Sequence, residues 1–389
     1  MIKIQNKNKC NGCQACVQKC KFGALNINID DEGFWYPSVN EILCRQCGAC
    51  LKCCSELNPV EVSVKPRVYA AYCTELEKRL KSASGGIFTL IAETVLKDSG
   101  VVYGAAFDEN WCLKHVCVTD KEELVKLKGS KYIQSDIGNT FQDAERYLKQ
   151  GVQVLFSGTP CQIQGLKKYL GKEYNNLITI DLFCHGVPSP EVWRDYVSVV
   201  SKERSLVGFS QRDKTHGVSK APMVFTFDNG DVEIEKYTEN LFVRGFIDNL
   251  YLRPSCYDCS FKGINRCSDI TLGDFWGIEK EHPGFSDDYG VSAVIIHTEK
   301  GKGYFARISD HIEKIESTIA SVTKENPCVI EPVTLNPKRN DFFVIWKKVG
   351  LKKAIKKLTK RRRKRLLFEF YHNLRHWLWL IKRKITNKP

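Results

Sequence analysis

The 389-residue sequence predicts a mixed α/β core, with a largely parallel sheet and flanking helices. A small cysteine-rich α+β domain precedes it and a helical, basic tail follows. Three observations carry this reading. Nine of the eighteen cysteines fall between Cys10 and Cys54. From Val68 to about Ile319, apolar runs of strand length alternate with amphipathic stretches of helical length, as α/β units require. From Lys347 onward, seventeen Lys or Arg face one acid, Glu369, whereas the preceding 346 residues hold 42 basic and 44 acidic side chains. The net charge of +14 therefore belongs to the tail. These shifts place the expected domains at 1–65, 66–335 and 336–389.

No uninterrupted run of some twenty apolar residues occurs, and the opening "MIKIQNKNKC" lacks the apolar centre of a secretion signal. A cytoplasmic location is expected, with the tail peripheral at the inner face of the membrane. In a reducing compartment, clustered cysteines point to metal binding or catalysis rather than to disulfides.

"CNGCQACVQKC" spaces Cys10, Cys13, Cys16 and Cys20 as C-x2-C-x2-C-x3-C, and "CRQCGACLKCC" repeats the spacing with Cys44, Cys47, Cys50 and Cys54. This is the bacterial two-cluster ferredoxin run. Three thiolates of one motif and the fourth of the other hold each 4Fe–4S cubane. By that rule Cys10, Cys13, Cys16 and Cys54 hold one cluster; Cys44, Cys47, Cys50 and Cys20 hold the second. Lys21 and Ser55 stand where proline is usual, and Cys53 competes with Cys54, which the repeat favours. Two zinc sites or structural thiols are the alternatives, and the doubled spacing argues against both. Proline and basic residues in "SVKPRVY" mark the linker to the core.

In the core, "VYAAYC", "VVYGAAF", "VQVLF" and "LITIDLF" are expected as strands. "GIFTLIAETVLKD", "CQIQGLKKYL" and "PEVWRDYVSVV" are expected as helices, and "MVFTF", "DITLGDF" and "VSAVIIHT" as antiparallel additions to the sheet. Ligands of such sheets gather beyond the carboxyl ends of the parallel strands. In "SASGGIF", Ser82 and Ser84 can cap a helix, and Gly85 and Gly86 let an anion approach free N–H groups; a plain N-cap is the simpler account. "GSKYIQS" offers a cation and several hydroxyls, and a surface turn explains it equally well. "LFSGTPCQ" puts Cys161 just past one buried strand, and "DLFCHG" puts Cys184 at the end of another. Neighbouring strands lie about 4.8 Å apart, so adjacent strand ends would bring these sulfurs together. Cys256 and Cys259 form a C-x2-C pair two ligands short of a site. Cys73, Cys112, Cys117 and Cys328 read as small buried hydrophobes.

With "RPSCYDCSFKGINRCSDITLGDFWG", these segments run in order from Ser82 to Gly277 and resemble the beta-subunit family of coenzyme F420 hydrogenases and dehydrogenases. The resemblance covers about residues 1–330 and leaves out the tail. It implies an α/β core that binds FAD and an iron–sulfur cluster. Carried over by motif, the FAD phosphates would lie near Ser82, Ser84, Gly85 and Gly86. Ser130, Lys131, Tyr132, Gln134 and Ser135 would help hold the cofactor, with Gly158 and Thr159 close by. Cys161, Cys184, Cys256 and Cys259 match the family's core cysteines and would hold a third cubane, with Cys267 as spare. Asp269, Asp274 and Trp276 would line the redox site, and no catalytic residue is assigned.

The function implied is an iron–sulfur flavoprotein oxidoreductase. It would pass single electrons between a ferredoxin-like donor or acceptor and FAD, which exchanges two with an unidentified substrate. Stand-alone relatives of this kind are common in surface-polysaccharide loci. The rival readings are a non-catalytic electron-transfer protein serving another enzyme and a tethered redox scaffold. In the tail, Phe368, Phe370, Tyr371, Trp377 and Trp379 interleave with Arg375 and Lys382. An anionic membrane surface is the expected partner; packing on the body ranks next, and nucleic acid last.

Overall fold

The computed structural model describes residues 1–359 apart from 61, 63 and 64. An N-terminal hairpin, β1 (Leu25–Ile29) and β2 (Trp35–Val39), stands between two short helices, Ala15–Lys19 and Ala49–Lys52. The core strands follow: β3 (Arg67–Cys73), β4 (Val101–Phe107), β5 (Leu113–Val118), β6 (Val154–Gly158), β7 (Leu177–Leu182), β8 (Leu206–Ser210), β9 (Met223–Phe227), β10 (Val232–Glu235), β11 (Ile270–Asp274), β12 (Ser292–Ile296) and β13 (Ile312–Glu316). Eight of them form one mixed sheet in the order β13-β3-β12-β11-β7-β6-β4-β5. Its centre, β11-β7-β6-β4, is parallel, and antiparallel pairs complete both flanks.

The burial of each strand explains its composition. Every residue of β6 and β12 is buried, and apart from Ser157 and Ser292 these strands read as apolar runs, the mark of strands covered on both faces. At the edge, β13 buries only its first residue and presents charge to solvent, which blunts pairing with other chains. "MVFTF" is not an addition to the main sheet: as β9 it centres a separate antiparallel sheet, β10-β9-β8. "DITLGDF" contributes β11, whose partner β7 runs parallel and whose partner β12 runs antiparallel.

The N-terminal domain shares its interior with the core. Ile2, Ala15, Cys16 and Leu25 bury against Phe141, Phe156 and Leu166 in one cluster. The segment expected as a tail from 336 is, in its first part, also interior. Helices Arg339–Val349 and Leu351–Leu358 bury Phe342, Phe343, Trp346, Leu351 and Ile355 against Phe242 and Tyr251. Arg339 donates to both carboxylate oxygens of Glu32 at the hairpin turn, with 2.8 Å to Oε1. Charge dominates the count in this region, but the apolar positions decide where it sits. The membrane-surface reading of the tail falls on residues beyond Thr359, outside the described residues. Among the described residues, no helix is long and apolar enough to cross a membrane.

Phe342 is fully buried, its ring 5.1 Å from that of Tyr251. Phe342→Ala is expected to cost about 3–5 kcal/mol of stability, read as a lower urea midpoint at unchanged slope. An unaltered midpoint would mean the C-terminal helices are an appendage.

Candidate redox site

The carboxyl ends of the central strands hold four cysteines. β6 and β7 are parallel neighbours, with Gly158 opposite Asp181. The chain leaves β6 through Thr159 into the helix Pro160–Leu170, which places Cys161 in its first turn. It leaves β7 towards Cys184. Cys256 lies in a short 3-10 turn, Pro254–Asp258, and Cys259 ends that turn. The sulfurs feel one another. Burial first, and then Cys259, Cys184 and Cys256, push the Cys161 thiol well above its ordinary value. Burial, then Cys184, pushes Cys256 up to about 12. The backbone N–H of Val187 donates to the Cys256 sulfur at 3.4 Å. Cys267, the spare, is buried elsewhere; beyond burial, its charged surroundings are Lys167, Asp181 and Arg266.

The N-terminal motifs show a comparable gathering. Cys13 is raised to about 12 by burial, with Cys10, Cys54 and Cys53 adding to the effect. Cys16, also raised by burial, feels four neighbours: Cys13, Cys10, Cys53 and Cys54. Cys53 and Cys54 thus both reach across to the first motif. Cys53 is 2% exposed, feels Cys54 and Cys50, and donates its S–H to the Cys50 carbonyl at 3.5 Å. Cys20, Cys44 and Cys50 are half-buried, and Cys47 is exposed.

This chemistry fits iron–sulfur ligation. Buried thiols that resist ionisation become thiolates when a cationic metal core replaces their protons. Among the described residues, no group of three or more His, Cys, Asp or Glu is gathered tightly enough for a single ion. Ligands of a cubane span four irons and stand wider than four about one zinc.

The two gatherings meet at one helix. A Cβ on Gly165 would lie 2.9 Å from the Cys13 sulfur, so glycine is what lets the N-terminal domain seat there. Gly165 is four residues, one helical turn, from Cys161 and on the same face. Arg253, three residues before Cys256 and fully buried, reaches the same domain. It donates to the Cys10 carbonyl at 2.8 Å, the Trp35 carbonyl at 2.9 Å and Gln134 Oε1 at 3.1 Å.

The expected FAD contacts lie in two loops. The helix after "SASGG", Ile87–Lys97, is capped neither by Ser82 nor by Ser84; Gly86, at φ 84°, is its N-cap. The Ser82 hydroxyl is shared between the Lys78 carbonyl and Thr89, and that of Ser84 between the carbonyls of Val291 and Gly273. Gly85 passes so close to β3 that a Cβ would lie 2.4 Å from the Ala71 carbonyl. These residues shape the loop and leave the end of its helix without a side-chain cap.

In the second loop, Ser130 follows Gly129, and Lys131 donates to the Lys128 carbonyl at 2.7 Å. Burial pushes Lys131 down to about 7. Ser135 bridges His115 Nδ1 and Gln162 Nε2, each at 2.9 Å. His115 Nε2 faces the Ser157 carbonyl at 2.9 Å, so Nε2 carries the proton and Nδ1 accepts from Ser135. Gln162 and Thr159 complete a capping box beside Gly158.

A strip that sequence reasoning missed joins the two loops. Gln211 Oε1 accepts from the Tyr132 backbone N–H at 2.5 Å. Arg212 pairs with Asp274 and lies 5.0 Å over the ring of Trp276, which is 45% exposed. Lys214 donates to the carbonyls of Arg79 at 2.6 Å and Ser84 at 2.5 Å. The signal was two cations in "QRDK" directly after a strand end, within a body that is otherwise nearly neutral. Asp269 does not line this site. It lies at the opposite end of β11 from Asp274, accepting from the backbone N–H and hydroxyl of Thr179, each at 2.8 Å.

A cysteine-rich α/β redox protein is what this fold and site define. A family model for the carboxyl-terminal part of the coenzyme F420 hydrogenase/dehydrogenase beta subunit matches residues 151–320, and one for the amino-terminal part of the same polypeptide matches 68–141. The chain belongs to this family of coenzyme F420 hydrogenase/dehydrogenase beta subunits, which are iron–sulfur oxidoreductases. It is 25% identical to an uncharacterized protein of Methanocaldococcus jannaschii, over 78% of this chain and 88% of that one. It is 24% identical to the coenzyme F420-dependent sulfite reductase of the same organism, over 77% of this chain but only 46% of that enzyme. One subunit of the F(420)H(2) dehydrogenase of Methanosarcina mazei is 22% identical, over 79% of this chain and 84% of that one. Among solved structures, a polypeptide of the F420-reducing nickel–iron hydrogenase complex from Methanosarcina barkeri aligns with TM-score 0.44 and 19% identity, over 77% of this chain and 93% of that one.

His115 and His297 are each pushed down to about 4, chiefly by burial. Unfolding frees them to bind protons near their ordinary value of about 6.5. Each therefore supports the fold fully above about pH 6.5 and progressively less as pH falls to about 4. Asp181, pushed up to about 6 by burial, acts in the opposite sense over an overlapping range. Glu56, also raised by burial, acts as Asp181 does, and His185, lowered by burial, acts as the other histidines do. Three histidines outweigh two carboxyls, so the urea midpoint is expected to fall between pH 7 and 4.5. His115→Gln should flatten that fall, and an equally steep one would remove His115 as its cause.

Proposed function

We propose that the chain is an iron–sulfur flavoprotein oxidoreductase in which three cubanes carry single electrons to or from FAD. The observation that supports this best is the mutual approach of Cys161, Cys184, Cys256 and Cys259, one helical turn from the seat of Cys13. The route would enter at Cys20, Cys44, Cys47 and Cys50, pass through Cys10, Cys13, Cys16 and Cys54, and continue to the core four. FAD, when bound, supplies the change between one- and two-electron transfer.

The chain's own residues prepare the two ends of that route. Burial disfavours charge on the free core thiols, and the Val187 N–H stabilises negative charge on Cys256. Lys214 fixes the "SASGG" loop by the Ser84 carbonyl, and Lys131 and Arg212, the latter paired with Asp274, stand on the strip beside it. An anionic group there would favour the charged form of Lys131. Trp276 offers an exposed ring at the same place.

Anaerobic preparation tests the reading. About twelve irons, matching acid-labile sulfide and one flavin per chain are expected, at four irons per cluster. Cys256→Ala should remove about four irons and leave the N-terminal pair spectroscopically unchanged. If the variant keeps its full iron complement, the C-x2-C pair is structural. About eight irons without flavin in the parent protein would reduce the chain to a ferredoxin fused to another kind of domain.

A further inference from the structure

The ligands expected for the outer cluster sit at an unusual surface. Cys47 is exposed, and on the same segment Ile42 is 90% exposed and Leu51 36%, with Phe22, 48% exposed, just past the first motif. The Asn40 backbone N–H donates to the Ala24 carbonyl at 2.8 Å, which brings the turn of Ile42 beside that of Phe22. Leu51 lies on the helix Ala49–Lys52, which begins one residue before Cys50. A nearly bare isoleucine with two apolar companions is more than the scattered single exposures of an ordinary surface.

Among the described residues, the charges beside these side chains that lack an ion-pair partner are of one sign. Lys21, Arg45 and Lys52 are exposed, and none forms an ion pair among the described residues. The acids of the same stretch are engaged: Glu41 pairs with Lys3 at 2.9 Å, and Glu56 accepts from Asn11 and Ser260. An apolar centre with a cationic rim suits a partner that is apolar at its own centre and acidic around it. A second copy of this chain would meet its own cations.

We propose that this face docks a small acidic one-electron carrier protein, a ferredoxin with a negative rim, which exchanges electrons with the outer cluster. The proposal rests on the reading that Cys20, Cys44, Cys47 and Cys50 hold a cubane. One electron passes per encounter, from the reduced carrier to the oxidised outer cluster or in reverse, without a bond made or broken. Opposite charge speeds the encounter, and the apolar centre sets its orientation.

Stopped-flow mixing of the loaded protein with a reduced acidic ferredoxin reads the second-order rate directly. The variant K21E/R45E/K52E should be slower by about tenfold at low salt, with the difference shrinking as salt rises. Ile42→Asp, at a site too exposed to disturb the interior, should slow the same step while iron content stays whole. Reduction by dithionite should proceed equally in all forms, and Lys97→Glu with Lys220→Glu on the core should leave the ferredoxin rate unchanged. Equal ferredoxin rates in parent and variants, or equal loss in the core control, would overturn the docking face. A switch from dimer to monomer on Ile42→Asp, with no change in rate, would overturn it in favour of self-association. Failure of dithionite to reduce an N-terminal cluster in the parent would instead strike the functional reading beneath.

Discussion

The buried guanidinium of Arg253 is the interaction on which the rest of the arrangement hangs. It comes from the core segment that carries Cys256 and Cys259, yet its acceptors are the carbonyls of Cys10 and Trp35 in the N-terminal domain. Its plane lies 4.4 Å over the ring of Tyr36. No carboxylate pairs with it among the described residues, and a buried cation without a counter-charge is costly. The Cys10 sulfur lies 3.7 Å from its Nη2. A ligated thiolate at Cys10 would therefore stabilise the domain contact as well as its own cluster, and the two halves of the fold become thermodynamically linked through one side chain.

A second strut has the same logic with different chemistry. Arg339, at the start of the C-terminal helices, grips Glu32 at the hairpin turn and the Leu252 carbonyl next to Arg253. Glu32, Leu252 and Arg339, from three distant stretches, thus converge on the residues just before the C-x2-C pair. Such convergence would suit the proposed cluster site, whose four cysteines come from three distant stretches, because the positions of Cys161, Cys184 and Cys256 are only as fixed as the frame between them.

Much of this was legible in the sequence wherever the signal was local. Cysteine spacing paired Cys54 with the first motif, and Cys13 and Cys16 feel Cys54 in the structure, as they also feel Cys53. The alternation of strand and helix placed β6 and β7 as neighbours, and with them Cys161 beside Cys184. What escaped depended on contacts distant along the chain. Gln211, Arg212 and Lys214 matter because of where a strand outside the main sheet delivers them. Ser84 looked like a cap and instead turns inward at φ 48°. Asp269 and Asp274 stand five residues apart, which in a strand of about 3.3 Å per residue means opposite ends of the sheet. Phe342 and Trp346 were hidden among lysines whose number outweighed their placement.

The glycine seat on the Pro160 helix has a consequence for how the protein could be assembled. Four residues of helix advance about 6 Å, so the interval between Cys161 and the seat of Cys13 is set by covalent geometry. A separate cysteine-rich module would have to find that seat anew at each collision. Fused through a short linker, it finds the seat at an effective concentration that intermolecular binding rarely reaches. Joining the two modules in one chain thus turns an encounter into a permanent junction.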